Sequence, residues 1–299
     1  MSLPILPPYL KPGDLLRVIA PSGALREMEA FHQSVEIWKA RGYRVEIPDN
    51  INDKHGYLAG TDIHRRQQLA TAWEDPECRG ILCARGGFGC TRILENWNWP
   101  ENIIPPKWLI GFSDITALLW SLYNGGIVSV HGPVLTTLAN EPEWSIQRLL
   151  DIVEGRPFAP LKGKGWGGGT STGILLPGNL TVATHLLATP ILPDLEGVIL
   201  ALEDVTEAPY RIDRMLTQWR LSGILSKVRG IALGGFTKCE AAANVPSFTV
   251  EEVLRDCLGD LGIPIVSDLP FGHDSPNAAL PVGMMVTLDA EQGILHFFP

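Results

Sequence analysis

Pro106-Lys107-Trp108-Leu109-Ile110-Gly111-Phe112-Ser113-Asp114-Ile115-Thr116-Ala117-Leu118-Leu119-Trp120 is a short apolar run that stops at a serine and continues in helical spacing. A strand that passes into a helix through such a turn predicts the repeating unit of a parallel sheet. The turn also presents a hydroxyl at a strand end, where the N–H groups of the following helix are open to negative charge developing on a substrate oxygen. Ser113 is therefore a candidate nucleophile. Serine followed by aspartate is equally an ordinary helix cap, so this segment leaves both roles open.

Working outward, the first half alternates short strands with helix-period segments. Leu15-Leu16-Arg17-Val18-Ile19-Ala20, Tyr43-Arg44-Val45-Glu46-Ile47 and Gly80-Ile81-Leu82-Cys83-Ala84 read as strands, with helices over 25–42 and 62–73. This spacing predicts an α/β fold with a parallel sheet and helices on both faces. Such sheets place ligands at the carboxyl ends of their strands. Ser113, the Arg85-Gly86-Gly87-Phe88-Gly89 loop and the Pro21-Ser22-Gly23 turn all fall there. Glycine and proline accumulate between Gly155 and Gly173, which predicts a nucleophile-bearing domain over 1–155, a linker or mobile loop over 156–172, and a second α/β domain over 173–299.

Composition narrows the function classes. A chain of 299 residues with 45% hydrophobic content buries a sizeable core, and its net charge of −9 argues against a nucleic-acid binder. The opening residues, Met1-Ser2-Leu3-Pro4-Ile5-Leu6-Pro7-Pro8, lack a positive region and carry prolines, so no signal peptide is expected. No apolar run reaches bilayer-spanning length, and no membrane partner is expected. Cys78, Cys83, Cys90, Cys239 and Cys257 are odd in number without a Cys-x-x-Cys pair, which fits free thiols in a reducing cytoplasm. No His-Glu-x-x-His or clustered His/Cys spacing points to a metal.

A serine nucleophile needs a base and a group that orients the base. Of seven histidines, His131 and His273 follow apolar runs, and His273 is favoured by the glycine before it and the dense turn sequence Asp274-Ser275-Pro276-Asn277 after it. Glu203, Asp204 and Glu207 lie where an apolar strand ends; Glu203 is the leading acid, and the plain alternative is that these carboxylates cap a helix or pair with Arg211 and Arg214. The order Ser, acid, His resembles an α/β-hydrolase, but Gly111-Phe112-Ser113-Asp114-Ile115 lacks the second glycine of that family's elbow. The glycines of the Arg85–Gly89 loop fit no dinucleotide or phosphate fingerprint; they form either a plain tight turn or half of an oxyanion hole.

Seven segments in order resemble the LD-carboxypeptidase family of serine peptidases, from about Tyr9 to the C-terminus. They are Lys11-Pro12-Gly13-Asp14 leading to Ala20-Pro21-Ser22, the Arg85–Gly89 loop, Gly111 to Leu118, His131-Gly132-Pro133, Gly178-Asn179-Leu180, Leu202-Glu203-Asp204-Val205 with Tyr210 to Leu216, and Gly272-His273. The resemblance implies that Ser113, Glu203 and His273 are nucleophile, orienting acid and general base. It further implies an N-terminal flavodoxin-like domain, a smaller C-terminal α/β domain, an active site at their interface, and a homodimer.

On that basis the expected reaction is release of the C-terminal D-amino acid from muropeptide tetrapeptides during peptidoglycan recycling, without a metal or organic cofactor. The backbone N–H of Asp114 and one from Gly86 or Gly87 would face the oxyanion. Arg85 would take the substrate carboxylate, unless it serves as a salt bridge holding its loop. Phe88 and Phe112 stand where the family often has tyrosine, and Pro177 where it usually has glycine. Two other readings stay open. One is an immunity-type peptidase that cleaves peptidyl or aminoacyl nucleotides, with Trp166 stacking on the base; the other is a non-catalytic peptide- or sugar-binding module.

Overall fold

The computed structural model describes residues 3–99 and 105–298. Met1 and Ser2, the start of the segment read for a leader, lie outside the described residues. The chain divides into two compact units, one of residues 1–157 with 278–283 and one of residues 158–277 with 284–299.

In chain order the strands of the first unit are β1 Leu15–Ile19, β2 Arg44–Glu46, β3 Cys78–Cys83, β4 Trp108–Gly111 and β5 Ser129–His131. Those of the second are β6 Leu161–Lys162, β7 Lys164–Trp166, β8 Thr170–Asn179, β9 Ile199–Val205, β10 Gly230–Thr237 and β11 Ile265–Ser267. Strand β12, Leu280–Val282, returns to the first unit, and β13 Met285–Asp289 with β14 Ile294–Phe297 completes the second.

The first sheet runs β12-β5-β4-β3-β1-β2, with β1 to β5 parallel and β12 antiparallel to β5. The order 2-1-3-4-5 is flavodoxin-like winding, whose switch point lies between β1 and β3. Helices on both faces explain the near-continuous apolar sequence of the inner strands: every residue of β4 is buried, and so are five of six in β3. The helix Thr116–Asn124 after β4 buries Ala117, Leu118, Leu119, Trp120 and Leu122, so it lies in the core almost all round.

The second sheet runs β6-β14-β13-β8-β9-β10-β11-β7. Strand β8 joins its two halves: Thr170 to Ile174 pairs antiparallel with β13, and Leu175 to Asn179 pairs parallel with β9. The parallel set β8-β9-β10-β11 is the part that delivers side chains to a common carboxyl edge.

Composition suggested a linker over 156–172, but much of that stretch is sheet. β6 pairs with β14 and β7 with β11. The glycines are there for close approach rather than looseness. A Cβ on Gly163 would overlap the Ser267 carbonyl oxygen, and one on Gly165 the Ala290 carbonyl oxygen. Gly167, Gly168 and Gly169 then turn the chain at φ +87°, +73° and +80°, a region that other residues enter with strain.

Candidate active site

Ser113 stands two residues beyond β4 with φ +63°, the left-handed region that a non-glycine residue seldom occupies. Such a conformation costs on the order of 1–3 kcal/mol and persists only where the surroundings over-determine it. It reorients the chain between the extended Phe112 and a single 3₁₀ turn, Ser113–Ile115, which passes into the helix Thr116–Asn124. Ser113 is not the side-chain cap that Ser-Asp suggested. Phe112 and Ile115 occupy the cap positions, and neither provides a capping side-chain bond.

The glycine loop after β3 lies against this turn. A Cβ on Gly86 would sit 3.1 Å from Ser113 Cβ and 3.2 Å from its Oγ, so only glycine lets the loop backbone come this close without displacing the serine. Gly87 has φ +116°. Arg85 points to Glu27, with Nε 3.3 Å from Oε2, and Nη1 lies 3.4 Å from the Gly86 carbonyl. The geometry therefore includes the loop-holding salt bridge. Phe88 is exposed and meets Tyr57 edge-on, while Phe112 is buried.

In the second unit, Glu203 ends the apolar run of β9 and is fully buried. His273 Nδ1–H donates to Glu203 Oε2 at 2.6 Å, and Asn179 Nδ2 donates to Oε1 at 3.2 Å. A buried carboxylate is costly unless bonded in this way. The pair depends on Gly272, whose φ is +125° and whose missing Cβ would lie 3.1 Å from Glu203 Cβ. Burial of the imidazole opposes its protonation, but the bond and charge of Glu203 outweigh burial and raise the His273 pKa above its ordinary value. With Nδ1 bonded to Glu203, acid–base work in such a pair falls to Nε2.

The three acids at the end of β9 separate cleanly. Asp204 accepts from Thr181 N–H at 2.8 Å, Thr181 Oγ1 at 2.7 Å and Asn179 Nδ2 at 3.0 Å, and burial pushes its carboxyl above the usual value. Glu207 meets Arg211 at 3.4 Å, as the plain reading expected. Of the three, Glu203 bonds His273. Of the two histidines weighed as bases, His131 is fully buried in β5 with its ring 6.0 Å from that of Phe112. Trp166 lies in β7 with the Arg255 guanidinium 5.0 Å over its ring, so one face of the indole is already stacked.

Several site residues escaped sequence reasoning. Asn179 was visible only as part of a motif, yet it caps the helix Leu180–His185 through Oδ1 and holds both Glu203 and Asp204 through Nδ2. Ser22 was visible only as part of a strand-end turn, and Arg65 and Cys90 carried no signal, because each acts through contacts 24 to 92 residues away. Among the described residues no group of His, Cys, Asp and Glu could hold a metal ion, and no helix is long and apolar enough to cross a membrane.

The comparisons with known proteins agree with this mixed α/β fold of two sheets. Residues 16–132 match the LD-carboxypeptidase N-terminal domain and residues 172–288 its C-terminal domain. The chain belongs to the LD-carboxypeptidase family. It is 58% identical over 299 residues, 99% of each chain, to slr1534 of Synechocystis sp., a protein named only as a candidate carboxypeptidase. It is 31% identical to the murein tetrapeptide carboxypeptidase of Pseudomonas aeruginosa, over 92% of this chain and 93% of that one. The crystal structure of muramoyltetrapeptide carboxypeptidase from Oxalobacter formigenes superposes with a TM-score of 0.81 at 30% identity, covering 94% and 97% of the two chains. The fold is shared as well with a microcin self-immunity protein, at a TM-score of 0.88 and 22% identity over 99% of each chain.

Proposed function

We propose that this carboxypeptidase hydrolyses the amide between an L-centre and a C-terminal D-amino acid, releasing D-Ala from muropeptide tetrapeptides in peptidoglycan recycling. The observation that carries the reading is the 2.6 Å bond between His273 Nδ1 and the fully buried Glu203. A serine peptidase needs this acid–base pair, and the likeness to murein tetrapeptide carboxypeptidases supports the substrate class.

In this mechanism Ser113 Oγ attacks the scissile carbonyl while His273 Nε2 takes its proton. The C–N bond breaks as His273 returns that proton to the leaving amine, and D-Ala departs. Water, deprotonated by the same imidazole, then cleaves the acyl-serine ester and restores the hydroxyl. Glu203 fixes the tautomer and stabilises the imidazolium. The Asp114 N–H stands in the first turn of its helix, where backbone donors lack intrahelical partners, and joins an N–H of Gly86 or Gly87 as the oxyanion hole. Each such donor lowers the barrier by about 3–4 kcal/mol. Arg85 receives the free carboxylate of the substrate, exchanging Glu27 for it. The same proposal has the enzyme acting as a cytoplasmic homodimer, with its five buried free cysteines suited to a reducing compartment.

The decisive measurement is D-Ala release from a muropeptide tetrapeptide by Ser113→Ala, expected to fall by about 10³-fold or more with the fold intact. Turnover near that of the parent protein would overturn the serine mechanism. Parallel incubation with an aminoacyl nucleotide amide separates the immunity-type reading. Saturable muropeptide binding with no D-Ala release by the parent protein would make the chain a binding module.

A further inference from the structure

Beneath the Ser113 turn lies a buried ionic construction that the reaction above does not use. Arg65, on the helix Asp62–Glu74, is fully buried, and its Nη1 donates to the carbonyls of Pro21 and of Gly89, the latter at 2.9 Å. Asp114 is also buried, and its Oδ2 accepts from Ser22 Oγ at 2.6 Å and from Cys90 N–H at 2.9 Å. The Gly89 carbonyl and the Cys90 N–H belong to one peptide group. That peptide is therefore clasped between a cation on its oxygen and an anion on its N–H, which polarises it and couples two charges that do not touch.

The same two charges grip adjoining residues of the turn after β1, Pro21 through its carbonyl and Ser22 through its hydroxyl. Gly89 suits the clasp because of its φ of +134°, and because a Cβ there would collide with Arg65. Arg65 Nη2 and Arg92 both engage Asp62, so the two arginines balance Asp62 and Asp114. Burial and the Asp114 charge push the Cys90 thiol well above its ordinary pKa, so the thiol 3.1 Å from Ser22 Oγ is neutral and adds no competing charge.

We propose that the Asp114 carboxylate, coupled through the Gly89–Cys90 peptide to Arg65, is the positioning device that holds Ser113 in its left-handed conformation. It locks the turns after β1, β3 and β4 to one another at the switch-point side of the first sheet. The Asp114 N–H and Ser113 Oγ are aimed by the side chain of the residue that follows the serine. The proposal rests on Ser113 being the nucleophile.

The experiment compares Asp114→Ala, Asp114→Asn and Ser22→Ala by far-UV circular dichroism, by kcat and KM for D-Ala release, and by the rate at which a fluorophosphonate acylates Ser113, read by mass spectrometry. Both bonds to Asp114 end on one oxygen, so Asn can keep the geometry while losing the charge. Asp114→Ala is expected to stay folded and to lose about 10²-fold in kcat and in acylation rate together, with KM within threefold. Asp114→Asn should recover most of that loss, and Ser22→Ala, which removes one bond of two, should lose about tenfold. A folded Asp114→Ala that acylates within twofold of the parent overturns the proposal. If Asp114→Ala does not fold, the folded Ser22→Ala decides, and an unchanged acylation rate there is equally fatal. Absence of any Ser113 adduct in the parent protein, with full turnover by Ser113→Ala, would instead overturn the nucleophile assignment.

Discussion

Ser113 and His273 both stand in turns beyond the carboxyl end of a parallel strand, yet they are held in opposite ways. The serine is set by its backbone: a left-handed φ of +63°, a glycine loop that approaches its side chain, and buried charges that bond neighbouring turns. The histidine is set by its side chain, through one short bond to a buried carboxylate that Asn179 also holds. Under the proposed mechanism the difference follows from the chemistry required of a nucleophile and a base. A nucleophile must be presented in one place with a fixed attack direction, which backbone geometry provides, whereas a base must be kept in one tautomer and tuned, which requires a partner charge.

The largest effect on this contrast should come from Glu203→Gln. Loss of the anion should lower kcat by up to about 10⁴-fold, as removal of the orienting charge does in other triads. The pH profile gives the sign. In the parent protein Glu203 raises the His273 pKa against burial, so kcat/KM should fall on the acid side of a limb lying above the ordinary histidine value of 6.5. In Glu203→Gln the two largest raising causes are lost while burial still lowers the pKa, leaving only the weaker pull of Asp204 and Asp274, so the limb should move to lower pH. A limb that stays in place would show that His273 is not the titrating base.

Gly272→Ala should come next. The added methyl meets Glu203 in a backbone conformation that disfavours it, a strain of about 1–3 kcal/mol. At this chain length each kcal/mol lowers Tm by roughly 2 °C, and kcat should fall as the Glu203–His273 bond lengthens. An unchanged melting curve would remove glycine from the account of the pair. The smallest effect is expected from Arg85→Ala, with KM for the D-Ala-terminated peptide rising about tenfold and kcat little altered. If KM does not move, Arg85 serves only to tie its loop to Glu27.

How far the site was legible follows from how each residue acts. Glu203 could be found because an acid ending an apolar strand has no cheap place to go, and His273 because glycine and a dense turn surround it. Asn179 was visible only within a motif and its bonds were not, and Arg65 was not visible at all, since an asparagine beside a leucine and an arginine within a helix look like ordinary surface residues. The 156–172 stretch shows the opposite error: glycine marked close strand approach there, and composition alone reads the same residues as flexibility.

Periodicity along the chain determined the alternation of strands and helices, because burial on both faces of a parallel sheet demands continuous apolar runs separated by amphipathic helices. It also determined which residues stand at strand ends, and so which side chains were available for chemistry. Only the tertiary structure decided that Ser113 is strained rather than capping, that Glu203 of the three neighbouring acids meets a histidine, and that one peptide group links Arg65 to Asp114. Those outcomes depend on contacts between residues far apart in sequence, and local spacing holds no record of which distant turn will close over which charge.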